Sequence, residues 1–590
     1  MNANSLRRRL CTTAAVLTIA VGGLLLRPLT AQPVVVADDA TAPGGIKTVA
    51  VVALSSYDDL LSDANFAGSL GGVEKAGQQL EGAIGMFTNF RGLVGLDKTK
   101  PWGIILQTDG QQFIPIACLP VTDLPALLEL VQGFGMQVND GAGNDKVIPL
   151  PNGQSLQLRE QNGWVYLSTM PGAFDLLPDD PPAVLAKLTD DYDLGIHLSM
   201  QNVPEMYRGL AMSAMQSGLQ QGLERKADES DEEYEMRRKL AEAQMAQFER
   251  MFTEIDTLTI GWALDATQQR TYLDVTYGFV PGSKMAQQIE AYGQPRTNFA
   301  GFYQPGAAAT MSVASQADPD VIQEDLDQMR AMLATWQTQA EKAIDQEEGI
   351  PDDATRDAIK SALGDFLDAF QTTIEGGKMD GGAALVVHED ALTLVVGAHV
   401  KEPLKIESGF KKLADVAQKR PNFPGVQWNA DSHAGANFHS LSVPLPAEKY
   451  DQKVRAMLGD KIDVAIGIGD ETVYLALGRD NLNAVKEAID ASQREPGKAV
   501  PPFELSVSLG PIVKVIAANA GDDNRDKVET IANMLESDAQ GRDHVRITGK
   551  LIEDGFTYRI EAEEGVLRAI GKAVTMIQQQ RQQQAFQNAQ

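Results

Sequence analysis

The chain is poor in cysteine, histidine and positive charge. Its 590 residues include two cysteines, Cys11 and Cys118. Cys11 falls in a segment with the pattern of an export signal, so the exported part would keep Cys118 alone. One thiol cannot close an internal disulfide, and the fold must then rest on its apolar core. Cys118 itself sits in the run Phe113-Ile114-Pro115-Ile116-Ala117-Cys118-Leu119 and reads as a small core residue. Fifty-one basic residues face eighty acidic ones, a net charge of −29. A field of that sign excludes nucleic acid and anionic bilayers as partners held by overall charge. Beyond the N-terminal segment no apolar run reaches the ~18 residues of a membrane-spanning helix. Hydrophobic residues at 43% and charged residues at 22% are ordinary globular usage, which excludes wholesale disorder.

What is present begins with an address. Arg7, Arg8 and Arg9 precede an apolar stretch at 10–26, and small residues follow at Ala31 and Ala37. This is the order of a secretory signal peptide, 1–31, with cleavage as late as 37. The arginine run also fits twin-arginine export, and the alternative to cleavage is an uncleaved anchor. The exported chain is expected to be periplasmic or extracellular. Residues 32–45 read as a flexible N-terminal segment.

Internal repetition is the main organising feature. Paired strand patterns around short polar turns recur at 102–119, 257–279, 382–400 and 544–562. Their turns are Asp109-Gly110, Ala266-Thr267-Gln268, His388-Glu389-Asp390 and Glu553-Asp554-Gly555. Short strands at 48–54, 194–200, 309–314 and 503–509 precede them, each leading into helical sequence, and further helical stretches follow. The strand-helix-hairpin-helix unit thus occurs four times. A strand around Tyr166 lies between units one and two, and one around Tyr474 lies between units three and four. The expectation is an α+β fold of antiparallel sheets with helices packed on one face, in two similar halves, 46–294 and 295–575, from an internal duplication. Alternation within 259–264 and 272–277 predicts a sheet with one wet face.

Long helical pairs are predicted at 203–226 with 231–254, and at 318–347 with 352–375. Methionines on these helices either fill core or line an adaptable apolar surface. The segment 576–590 is mostly Gln and is expected to be a disordered tail.

Catalytic signatures are scarce. There is no HExxH, no paired CxxC, no GxSxG and no DxDxDG loop. Gly467-Ile468-Gly469-Asp470 lacks a phosphate-loop Lys and reads as a strand turning toward Tyr474. Asp431, His433 and His439 form the one local cluster with metal-ligand residue types, without a specific spacing. No cofactor is expected. The acid pairs Asp179-Asp180 and Asp352-Asp353 read as helix caps.

The hairpins flanked by helices, as at 383–400, together with the signal segment and the acidic remainder, resemble uncharacterised exported bacterial proteins built of repeated α+β units. That resemblance implies no site residue. Three functions remain open: a non-catalytic protein that binds or scaffolds an envelope or extracellular partner; a carrier of lipid or other apolar cargo lined by Met-rich helices; and a hydrolase with a dispersed site, in which His197 and His399 are the first candidates.

Overall fold

A computed structural model describes residues 45–588, apart from 179, 224, 226–228, 230, 305, 388–390, 420–422, 446–454, 456–458, 520–521 and 538–540. The segment read as an export signal and the turn at His388 lie outside the described residues. The first run of elements is β1 (Lys47–Leu54), α1 (Tyr57–Leu70), α2 (Ala76–Phe87), β2 (Trp102–Thr108), β3 (Phe113–Pro120), α3 (Leu124–Gly133), β4 (Asn139–Asp140), β5 (Lys146–Pro149), β6 (Ser155–Gln161), β7 (Trp164–Ser168), α4 (Pro181–Thr189), β8 (Leu194–Ser199), α5 (Glu205–Gly222), α6 (Asp231–Glu254), β9 (Ile255–Asp265), β10 (Arg270–Phe279) and α7 (Lys284–Ala291). A short β11 (Arg296–Thr297) follows. The second run is β12 (Ala309–Gln316), α8 (Gln323–Gln346), α9 (Asp353–Glu375), β13 (Lys378–Val387), β14 (Leu392–His399), α10 (Pro403–Gln418), β15 (Gln427–His433), β16 (Ala436–Pro444), β17 (Lys461–Ile468), β18 (Thr472–Gly478), α11 (Asn481–Arg494), β19 (Lys498–Ala499), β20 (Phe503–Ser508), α12 (Leu509–Asn519), α13 (Asp522–Ser537), β21 (His544–Ile552), β22 (Gly555–Glu563) and α14 (Glu564–Asn588).

Turn and cap chemistry explain where these elements start and stop. At the β2–β3 turn, Asp109 Oδ1 accepts from the N–H groups of Gln111 and Gln112, and Gly110 takes φ +91°. Asp554 holds the corresponding left-handed position between β21 and β22, at φ +51°. Asp180 caps α4 through Ala183 N–H, with proline in the first turn, and Asp352 caps α9 through Thr355 N–H.

Twenty strands form one antiparallel sheet, and β11 pairs with β19 apart from it. The two runs meet where β10 pairs with β22, Val275 opposite Tyr558. Outward from that seam the first run reads β10-β9-β8-β1-β2-β3-β7-β6-β5-β4. The second reads β22-β21-β20-β12-β13-β14-β18-β17-β16-β15.

Helices pack on both faces of this sheet, where the sequence predicts one. β7 shows why. Its Trp164 and Tyr166 point to α4 and join Val51, Ile105, Ile116, Leu185 and Leu188. Its Val165 points the other way and packs with Leu158 and Leu127 of α3. A strand that is apolar at both parities has two faces to cover. In the second run α11 stands on the α4 side, with Val485 and Ile489 against Val395 and Phe438. Nearer the seam, Met251 and Phe252 of α6 and Met285 of α7 pack with Leu198, Tyr277 and Tyr558 on the α3 side. The last helix runs to Asn588, so it includes the Gln-rich stretch read as a disordered tail. Glutamine is a good helix former and simply extends the helix already started at Glu564. Among the described residues no helix is long and apolar enough to cross a membrane.

Candidate functional site

The three metal-type residues do not converge. Asp431 and His433 lie two apart on β15, hence on one face. Both reach α11: Asp431 Oδ2 accepts from Lys486 Nζ at 2.6 Å, and His433 Nε2 meets Asp490 Oδ1 at 2.7 Å. The Lys486 hydrogen bond holds the Asp431 carboxyl below its ordinary range. His439 of β16 faces the opposite side, toward α10. Among the described residues no group of three His, Cys, Asp or Glu is placed to hold a metal ion.

The two histidines named for a dispersed hydrolytic site are also apart. His197 is buried, with Nδ1 2.8 Å from Thr259 Oγ1. His399 lies 4.0 Å from Glu471, and burial, then Lys378, lowers its pKa. Cys118 is fully buried and its thiol is pushed up to about 12 by desolvation, which fits packing and not nucleophilic attack.

On the α4/α11 face the seam is polar. Asp274 of β10 accepts two hydrogen bonds from Arg559 of β22 and one from Tyr192 OH. Arg546 contacts Glu561 at 3.0 Å and Glu563 at 2.7 Å, and Arg270 also pairs with Glu561. Burial works against the charged form of Glu563, yet hydrogen bonds from His544 and the Arg546 guanidinium hold its carboxyl at about 2. These acids are tied up in ion pairs across the seam.

The opposite face carries the apolar parity that alternation assigns to a packed core, yet Ile260 and Trp262 on it are exposed while Thr259, Asp274 and Thr276 of the polar parity are buried. Cross-strand partners share a face, so registers can be chained. Trp102 lies opposite Leu54, Leu54 opposite Leu194, and Leu194 opposite Trp262. Trp262 then leads through Leu273 to Ile560 across the seam. Ile560 continues to Ile547, Leu505 and Met311. Ala383, Val396, Leu475 and Ile466 follow. Ile466 ends opposite His439. Thirteen strands, twelve spacings of about 4.8 Å, make this apolar row about 58 Å long. Its members before His439 are half-buried or exposed, with Trp262 at 37% and Ile560 at 44%. A parallel row one step along carries Ile104 at 46%, then Val52, Ile196 and Ile260.

Helices stand on this face beyond β3 (α3), beside the seam (α6 and α7), against Met379 of β13 (α8 and α9) and over β16–β17 (α10). Each stands about 10 Å proud of the strands. The apolar rows therefore lie as the floor of a trough with helical obstacles. The sequence carried a trace of this in the alternation of Ile260 and Trp262 with Thr259 and Gly261, which marks an apolar face without saying what covers it. Between α10 and β15–β17 a cavity of about 230 Å³ opens, lined by Phe410, Leu413, Trp428, Leu441, Ile466 and His439 among others. No family model, curated protein or solved structure matches the chain.

Proposed function

We propose that the exported chain is a non-catalytic binding protein that holds an apolar or amphipathic chain molecule, of the kind found in lipids, along the helix-interrupted face of its sheet. One observation carries this reading: the row from Trp102 to Ile466 is apolar across the seam and its members are half-buried or exposed. Exposed apolar surface of this extent marks an interaction site. A second sheet would have to approach to about 10 Å, and α3, α10 and α6 stand in that space. A flexible alkyl chain needs no such flat clearance. One leaflet of a bilayer is about 15 Å of hydrocarbon, so the row accommodates more than one chain.

The same reading includes an internal duplication, with paired helices inserted in each half. The identical strand order outward from the β10–β22 seam supports it, as does the matching placement of α1–α2 with α8–α9 and of α5–α6 with α12–α13, each pair after the strand that opens its unit. Export supports the assignment of an envelope role and rests on the pattern Arg7-Arg8-Arg9 followed by 10–26. The carrier reading places the lining on the sheet and not on the methionine helices. Met206 of α5 is exposed, whereas Met251 of α6 is packed against the seam cluster.

The test is lipid capture. The chain lacking residues 1–31 is incubated with phosphatidylcholine vesicles, separated from them, and weighed by native mass spectrometry. Bound phospholipid is expected, and it should be lost in Ile196→Glu/Ile560→Glu, which puts two charges in the trough. A wild-type chain that carries no lipid, or a double variant that carries as much, overturns the reading.

A further inference from the structure

The cavity under α10 has one polar group whose protonation can be derived. Asn429 N–H donates to His439 Nδ1 at 3.0 Å, so Nδ1 carries no proton. In a neutral imidazole the proton is then on Nε2. Burial, the largest influence, lowers the His439 pKa and keeps the ring neutral. Nε2 is buried and has no aligned hydrogen-bond partner among the described residues. Glu407 Oε1 lies 3.3 Å away and is itself held by Lys411 at 2.6 Å. His439 is only 3% exposed, and a buried N–H whose nearest acceptor is misaligned is satisfied by a better-placed one. The remaining lining is nearly all apolar, from Phe410 and Leu413 of α10 to Leu441 and Ile466 of the sheet. Trp428 meets the His439 ring edge-on at 4.9 Å.

We propose that this cavity binds the end of an uncharged alkyl compound that carries one oxygen acceptor, an ester or an alcohol, with the oxygen on His439 Nε2–H and the chain between α10 and the sheet. The class follows from the lining. The orphan donor asks for an oxygen acceptor. The Glu407 carboxylate beside it repels an anion, so a free carboxylate is disfavoured. The volume of about 230 Å³ exceeds the ~150 Å³ of an apolar cavity that takes benzene. This deepens the function proposed above and rests on it for the trough that leads through Leu475 to Ile466, but its chemistry is tested separately.

The probes are methyl octanoate, octane and octanoate, titrated into the chain lacking residues 1–31 and read by calorimetry and by Trp428 fluorescence. Methyl octanoate is expected to bind about tenfold tighter than octane, the effect of satisfying one buried donor, and octanoate more weakly than the ester. His439→Phe should remove the ester's advantage and leave octane binding within about twofold. Ala417→Trp, which fills the cavity, should abolish binding of both. An ester that binds no better than octane to the wild-type chain overturns the proposal, as does a His439→Phe variant that keeps the preference. Ile196→Glu/Ile560→Glu lies far from α10 and should titrate like wild type with methyl octanoate. If it captures no phospholipid yet binds the ester, both readings stand. Phospholipid capture that survives in it sinks the trough alone, and an ester titration that fails in the wild type sinks the cavity alone.

Discussion

Asp274 on β10 and Arg559 on β22 close the seam between the two runs of strands with a two-pronged ion pair, Nε to Oδ1 at 2.8 Å and Nη2 to Oδ2 at 2.7 Å. The carboxylate is almost wholly buried and also accepts from Tyr192 OH, while the guanidinium lies over the Tyr272 ring at 3.9 Å. Arg559→Met strands that carboxylate against the sheet. Removing one partner of a buried pair costs about 3–5 kcal/mol, reduced here because the arginine is partly exposed; a loss of about 3 kcal/mol is expected. The denaturant midpoint should fall accordingly. Asp274→Leu/Arg559→Met should recover part of the loss, since no charge is then left buried.

Acid sensitivity has two arms of opposite sign. Burial, then the Asp193 and Asp59 carboxylates, push Asp63 of α1 from 3.8 up to about 7. In that interval the folded chain holds a proton that the unfolded chain has released, so stability falls as pH rises from about 4 to about 7. Asp63→Asn reduces the dependence, leaving the part due to Asp193, whose own carboxyl is raised by burial. Its melting temperature should match wild type near pH 4 and exceed it at pH 8. Glu563 runs the other way: its folded value of about 2 lies below 4.5, so its contribution is present above that range and fades as pH drops toward 2. Glu563→Gln should therefore lower the melting temperature at pH 7 more than at pH 2.5.

The core of the second run depends on a glycine against an aromatic ring. A β-carbon at Gly397 would stand 2.7 Å from Phe302 Cζ and 2.8 Å from Phe299 Cδ1. Phe302 is fully buried and stacks on Tyr474 at 6.0 Å. Gly397→Ala should destabilise by about 1–3 kcal/mol through overpacking. Phe302→Leu, costly alone, should cost less in the Gly397→Ala background. A double-mutant cycle on denaturant midpoints reads the coupling, which is expected to exceed ~0.5 kcal/mol for groups in contact.

Much of the strand layout was legible because turns are encoded locally. Asp109-Gly110 and Asp554 announce their hairpins through side-chain acceptors and positive φ, and Asp180 and Asp352 announce helix starts. Long-range choices were not legible. Asp274 and Arg559 are 285 positions apart, and neither residue names the other. The run Thr48-Val49-Ala50-Val51-Val52-Ala53-Leu54 is apolar at both parities, so alternation alone could not say that Val51 meets α4 and Val52 meets the open trough. His439 was singled out as a ligand type beside Asp431 and His433. The strand parity that separates it from them becomes visible only once the β15–β16 register pairs Asp431 with Phe438.

Cys118 offers a check on how tightly the α4 side is closed. Its thiol is fully buried among Ile105, Ile116 and Tyr166, and desolvation keeps it protonated. With Cys11 replaced by serine, iodoacetamide at pH 8 should label the folded chain only at the rate of global opening and label the urea-unfolded chain within minutes. Fast labelling of the folded chain would show that α4 lifts from the sheet.

Ile196 and Ile560 separate stability from binding. A side chain in the core costs ~1 kcal/mol or more when made polar, but these two are 37% and 44% exposed. Ile196→Thr/Ile560→Thr keeps β-branched shape and strand propensity, so the melting temperature should stay within about 2 °C of wild type. An apolar chain lying across the strands would lose contact with two methylene-sized groups at each site, ~0.8 kcal/mol apiece. Summed over both sites that is ~3 kcal/mol, so the proposed function expects lipid capture to weaken by about two orders of magnitude in a chain that is otherwise as stable as before. A variant that melts far lower would instead mean that these isoleucines hold the sheet together and that the trough is structural.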